Sequence, residues 1–164
     1  MELPKELSSC YHKALYRLSM GDMTTLEMTD YLSDPKRKNT GFSPEIAQRV
    51  VAILVEEGFL DDKRYLRLAV AKLDRALAGP RRIREHLTRH RFPTRFVEAA
   101  LSRSIDYESR ALRLLEKRKG AEELALTPQG RKKLTDYLVR QGYDYGTARG
   151  AMAKFSDGED LDSD

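Results

Sequence analysis

The sequence predicts an all-α protein, an elongated array of three tandem three-helix modules joined by helix-turn-helix-like corners. Three observations lead there. First, one pattern recurs three times: an apolar-striped helix, a gap ending in an aromatic, then a second striped helix. The middle copy reads Ile83 and Leu87, then Phe92, then Val97, Ala100 and Leu101. The last reads Leu134 and Leu138, then Tyr143, then Ala148, Ala151 and Met152. The first reads Met28 and Leu32, then Phe42, then Ala47, Val50 and Val51. Beyond the aromatic the spacing is the same in all three, so the copies share a geometry as well as a composition. Second, strand signals are nearly absent, and the β-branched run of residues 50–55 sits inside a helical period. Third, helix start and stop signals recur at short intervals. Units that cannot bury an apolar face alone stack on their neighbours, and such a stack presents a surface instead of enclosing a pocket.

Nine helices are predicted in order. Leu7, Tyr11, Ala14, Leu15 and Leu18 stripe the first, which stops near Gly21. Thr24 with Glu27 three residues on is a capping box, opening a short helix with Met28, Tyr31 and Leu32. Ser43-Pro44 pairs a cap hydroxyl with proline at the first helical position, where its missing N–H costs nothing. That third helix stops at Gly58, a left-handed cap, and Asp61 caps the fourth with Asp62 in its first turn against the helix dipole. Gly79-Pro80 ends the fourth helix and opens the fifth, and Pro93 opens the sixth. The seventh begins near Asp106, Thr127-Pro128 starts the eighth, Gly142 ends it, and Asp144 caps the ninth. The modules so drawn are residues 1–58, 59–104 and 105–155, with 156–164 an acidic disordered tail. An inserted loop, Asp34-Pro35-Lys36-Arg37-Lys38-Asn39-Thr40, separates Leu32 from Phe42 in the first copy and is expected to be exposed and basic.

Charge narrows the partner. All 30 Lys and Arg lie before residue 156 together with 21 of the 26 acids, so the body carries +9 and the tail −5. A basic body is the footprint of a polyanion partner such as nucleic acid. With a 34% charged fraction and 40% hydrophobic content, thin layers with much solvated surface are expected, not a thick core. No apolar run suits a membrane span, no secretory leader is expected at the N-terminus, and Cys10 is the single cysteine. A cytoplasmic monomer without cofactor is the expectation.

The densest cationic stretch runs from Gly79 to Arg91. Helical spacing puts Arg81, Arg84 and Arg91 on one flank of the Ile83/Leu87 stripe and Arg82 with Arg89 on the other. The planar fork of arginine suits phosphate, and a solvated face paired with acids such as Glu85 and Glu98 is the plainer alternative. The third copy repeats the theme with Arg131, Lys132, Lys133 and Arg140, and Arg110, Arg113 and Lys117 line one face of their helix. Distributed basic helices suit sequence-independent contact with a phosphate backbone. No catalytic constellation can be named. Asp61 and Asp62 lack further ligands nearby in sequence, His86 and His90 are four apart without a third ligand, and no phosphate-cradling Gly-rich loop occurs.

Three blocks together carry a resemblance: Gly58-Phe59-Leu60-Asp61-Asp62-Lys63-Arg64-Tyr65, Gly79-Pro80-Arg81-Arg82-Ile83-Arg84-Glu85-His86-Leu87, and Tyr137-Leu138-Val139-Arg140-Gln141-Gly142-Tyr143 followed by Ala148. In order and spacing, across roughly residues 10 to 155, the chain resembles the RecX family of bacterial recombination regulators. The resemblance implies tandem three-helix units and no catalytic residues. It also implies a partner, the RecA filament on single-stranded DNA, whose strand exchange, ATP hydrolysis and coprotease action such proteins generally inhibit. Arg81, Arg82 and Arg84 match the family's basic positions and are the residues it would assign to the filament. Where the family usually has glycine before the apolar residue closing the second pair, this chain has Arg91. The competing expectation is a sequence-independent nucleic-acid-binding module acting without RecA.

Overall fold

The computed structural model describes residues 4–159, and its regular structure is entirely α-helical among them. Ten helices follow in order: α1 (Lys5–Leu18), α2 (Thr25–Ser33), α3 (Pro44–Glu56), α4 (Asp62–Arg75), α5 (Pro80–Arg89), α6 (Thr94–Leu101), α7 (Tyr107–Glu116), α8 (Ala121–Ala125), α9 (Pro128–Arg140) and α10 (Tyr145–Glu159). The tenth is α8, which the nine-helix reading missed. It has no polar cap; Gly120, left-handed at φ 76°, turns the chain into it. At the other end, α10 continues to Glu159, so residues 156–159 of the expected tail are helical. Residues 160–164 of that tail lie outside the described residues.

Packing gathers the chain into two compact units. One comprises residues 1–69 and 87–93, the other residues 70–86 and 94–164, so α4 and α5 each contribute to both. In the first unit Leu7, Cys10 and Ala14 of α1 join Met28 and Leu32 of α2 and Ala47, Val50 and Leu54 of α3 in one apolar core, sealed by Leu60. Burial raises the Cys10 thiol to about 11, which keeps it protonated and inert. The capping box of α2 is fully formed: the Glu27 amide donates to Thr24 Oγ1 and the Thr24 amide to Glu27 Oε2. Thr24 is completely buried, and its hydroxyl also donates to the His90 carbonyl at 2.8 Å. Asp62 does more than sit in the first turn of α4. Its carboxylate accepts from both the Thr25 amide (2.8 Å) and the Thr25 hydroxyl (2.9 Å), satisfying the start of α2 from the start of α4. Asp61 caps α4 as expected, accepting from the Arg64 amide.

The second unit has its own core. Ala111 and Leu115 of α7, Leu134 and Leu138 of α9, and Ala148, Ala151 and Met152 of α10 surround Tyr143. Its hydroxyl donates to the Leu77 carbonyl at 2.5 Å, and burial holds the phenol well above its ordinary range. Near α8, the backbone crosses α9 so closely that a Cβ on Gly130 would lie 1.8 Å from the Leu124 carbonyl oxygen.

The repeat predicted from the apolar pattern has a backbone counterpart. In every copy the amide of the aromatic donates to the carbonyl of the leucine closing the preceding stripe: Phe42 to Leu32, Phe92 to Leu87, Tyr143 to Leu138. In every copy the residue before the aromatic is left-handed, with φ of 84° at Gly41, 59° at Arg91 and 99° at Gly142. With Arg91 donating to the Thr88 carbonyl and Gly142 to that of Val139, the second and third copies end in the paired bonds of a Schellman motif. The first copy makes the same closure around its inserted loop. That loop is pinned by Asp34, whose carboxylate accepts from the Lys36 amide and from Arg37 Nε, and Arg37 in turn lies 5.5 Å over the Tyr31 ring.

Candidate functional site

The cationic positions singled out above occupy several kinds of environment. Arg81 and Arg82 sit at the start of α5, where the chain meets the last turn of α9. The Gly79 amide donates to the Gln141 carbonyl (2.9 Å) and the Arg81 amide to the Gly142 carbonyl (3.0 Å). The orphan N–H groups of one helix start thus satisfy orphan carbonyls of another helix end. This requires close approach: a Cβ on Gly79 would lie 2.4 Å from the Gly142 carbonyl carbon, and one on Gly142 would lie 2.4 Å from the Arg82 nitrogen. The side chains reinforce the joint. Arg81 donates to the Val139 carbonyl at 2.6 Å and faces Glu85 at 3.6 Å, and Arg82 binds the Gln141 side-chain oxygen. Arg140 lies between the two residues they bind, so the fold brings Arg81, Arg82 and Arg140 to one place. Gly79, Pro80 and Gly142, read as helix punctuation, are equally the parts of this joint.

Arg84 and Arg91 hold ion pairs. Arg84 meets Glu98 at 2.6 Å, with both side chains about half exposed, and Arg91 meets Asp30 at 3.2 Å. Such exposed pairs contribute at most about 1 kcal/mol and exchange readily for another anion. Arg131 is half-buried and donates to the Ala125 carbonyl at 2.7 Å. The side chains of Arg89, Lys132, Lys133 and Arg140 are exposed and make no ion pair or hydrogen bond among the described residues. Arg131, Lys132 and Lys133 lie near the opposite end of α9 from Arg140, about 10–14 Å away along the helix axis.

The face formed by Arg110, Arg113 and Lys117 is part of a larger feature. Together with Arg75 and Arg103 they line a cleft of about 850 Å³ in the second unit. Its floor is an ion-pair network: Arg103 grips Asp74 with two nitrogens (2.7 and 3.0 Å) and Arg110 meets the same carboxylate at 2.5 Å. Hydrogen bonds from Arg103, then from Arg110, hold Asp74 down to about 2, so it is an anion at every physiological pH. Asp106, the other acid of the cleft, is occupied with the Ser109 amide and hydroxyl. Two carboxylates consumed by structure therefore leave Arg75, Arg113 and Lys117 exposed at the rim. Arg75 and Arg103 escaped the sequence reading because one ends α4 and the other lies in the loop between α6 and α7; only the regular spacing on α7 was visible.

Among the described residues no three or more His, Cys, Asp or Glu gather into a metal-holding group, and no helix is long and apolar enough to cross a membrane. His90 contributes to structure: its Nδ1 lies 2.8 Å from Glu27 Oε1 and 3.3 Å from the Tyr65 hydroxyl, with the ring edge-on to Tyr65.

Comparison with known proteins decides the family. A protein of Xanthomonas oryzae pv. oryzae (strain MAFF 311018) named regulatory protein RecX is 32% identical over 112 residues, spanning 68% of this chain and 69% of the relative. The chain belongs to the RecX family. Regulatory protein RecX of Pseudomonas syringae pv. tomato is 33% identical over 109 residues, 66% of this chain and 70% of its own. That of Xanthomonas campestris pv. campestris (strain B100) is 33% identical over 115 residues, 70% of each. No family profile matches the chain. These relatives are named regulatory proteins.

Proposed function

We propose that this RecX-family protein binds RecA filaments assembled on single-stranded DNA and inhibits the recombinase, ATPase and coprotease activities of RecA, thereby modulating DNA repair and the SOS response. The likeness to regulatory RecX proteins of two genera carries the reading. Support also comes from cations spread over several helices. Helical repeats with exposed Arg and Lys meet successive units of a periodic polyanionic partner, and linked weak contacts multiply through effective concentration. The action is steric and electrostatic, exerted by a monomer in the cytoplasm without a cofactor. The three repeats act as three contact modules. Arg81, Arg82, Arg84, Arg89, Arg91, Arg131, Lys132, Lys133 and Arg140 supply contacts to filament acids and to phosphate, and affinity for DNA alone is weak and sequence-independent.

The test is RecA's single-stranded-DNA-dependent ATP hydrolysis, titrated with this protein beside a measurement of its own DNA binding. Inhibition well below one molecule per RecA, at salt where the protein alone barely holds DNA, is expected. If hydrolysis falls only when the protein saturates the strand, it is a plain nucleic-acid-binding module and RecA is not its target. Arg81 and Arg82 also hold the α5–α9 joint, so the variant to test the cations is Arg89→Glu with Arg140→Glu, at two exposed positions whose side chains have no partners among the described residues. Inhibition should vanish while the helical circular dichroism persists; full inhibition by the double variant would reject these positions.

A further inference from the structure

The second unit carries a groove of about 580 Å³ between α9 and α10 that the contacts above do not explain. Tyr145, the first residue of α10, stands on its rim 61% exposed, an unusual place for so large an aromatic surface. Its backbone is fixed: Asp144 caps the helix by accepting from the Thr147 amide (2.9 Å) and hydroxyl (2.6 Å), so the ring projects from a rigid start. Arg149, one turn along, lies 5.8 Å from the ring centre. Arg131 and Lys132 line the groove from α9, and Met152 adds an apolar wall. Asp136 is the single acid among the lining residues, so positive charge prevails. Ser156 lines it too, and its Oγ is shielded from solvent with no hydrogen-bond partner among the described residues, an unmet polar group in the wall.

An exposed ring beside an apolar wall, bracketed by cations, matches one chemistry best: an unpaired nucleobase with the phosphates on either side of it. The Tyr145 ring offers a flat apolar seat, and Lys132 and Arg149 neutralise the phosphates. Duplex DNA cannot use this seat, because its bases are stacked on each other, and an acidic peptide would use the cations but not the face of the ring. We infer that the α9–α10 groove is a stacking site for an unpaired base of single-stranded nucleic acid, with Tyr145 as its platform. The inference rests on the reading that this protein meets single-stranded DNA, and adds a preference for unpaired over paired strands that cations alone would not provide.

The experiment measures fluorescence anisotropy of labelled oligothymidine, an abasic oligomer of equal length, and a duplex, each titrated with the wild-type chain and with Tyr145→Ala, Tyr145→Phe and Lys132→Gln. Tyr145→Ala should weaken oligothymidine binding about fivefold to a hundredfold, the range of one stacked base, and leave the abasic oligomer and the duplex unchanged. Tyr145→Phe should retain binding. Lys132→Gln should weaken oligothymidine and abasic oligomer together and lower the salt slope by about 0.7, one phosphate contact on a single strand. The unchanged abasic arm doubles as the control for folding. Equal oligothymidine affinity of Tyr145→Ala and wild type, or an equal loss on all three probes, would overturn the stacking site. So would a wild-type chain that holds no single strand at all; RecA inhibition, measured separately, would then still report on the filament reading.

Discussion

Substituting Gly142 by Ala should be strongly destabilising. Two costs combine there. At φ 99° an L-residue is strained, which costs about 1–2 kcal/mol. The new Cβ would also lie 2.4 Å from the Arg82 nitrogen and 2.5 Å from its Cβ, about 1 Å inside ordinary contact, so the start of α5 must retreat. Retreat breaks the Arg81-to-Gly142 and Gly79-to-Gln141 hydrogen bonds, each about 1 kcal/mol. The sum is about 3–4 kcal/mol, or roughly 10 °C in Tm. Two companions separate the terms. Gly58→Ala carries strain alone, because φ is 75° and nothing lies within 4 Å, and should cost about 1 kcal/mol. Gly79→Ala carries the close approach without a left-handed backbone and should cost about 2 kcal/mol. Urea unfolding followed by circular dichroism at 222 nm measures all three. If Gly142→Ala proves no worse than Gly58→Ala, the close approach of α5 to α9 is not what makes glycine necessary there.

Asp74→Asn should destabilise the chain by about 2 kcal/mol at neutral pH. The carboxyl titrates near 2 when folded, below its ordinary 3.8, so its contribution is complete above about pH 4 and lost as pH falls toward 2; the urea midpoints of variant and wild type should converge over that window and stay parallel above it. Arg91→Gly should stabilise by a few tenths of a kcal/mol, since relief of the left-handed backbone outweighs the exposed pair with Asp30, and a lower urea midpoint would contradict the strain argument. Tyr143→Phe should cost about 1–1.5 kcal/mol by leaving the Leu77 carbonyl without its donor, and an unchanged melting curve would show that water replaces it.

The caps at Thr24, Ser43, Asp106, Thr127 and Asp144 were legible in the sequence because each bonds an amide three residues away, and three-residue spacing is written in the chain. The apolar stripes were legible for the same reason. Helix α8 was not: five residues without a polar cap leave no periodicity, and the one trace of it was a glycine, Gly130, inside the first turn of α9. Asp62 illustrates the other limit. Its partner Thr25 is 37 residues away, so the residue read only as a dipole companion. Likewise the basic stretch from Arg81 was visible as charge, but nothing local revealed that Arg81 and Arg82 are bound to Val139 and Gln141. Tyr145 was not singled out in the sequence, because nothing in its spacing marks the ring as exposed; burial does.

The three repeats differ in length yet close on the same bond, the amide of an aromatic reaching a leucine carbonyl. The chain thus counts its repeats in hydrogen bonds and not in residues. In the first repeat the seven residues from Asp34 to Thr40 hang between ends already clasped together by the Gly41 and Phe42 amides on Leu32. A segment held in this way can change length cheaply, by about 0.6 kcal/mol for each doubling. It is the natural place in this protein to graft, trim or label, a free margin within an otherwise ruled page.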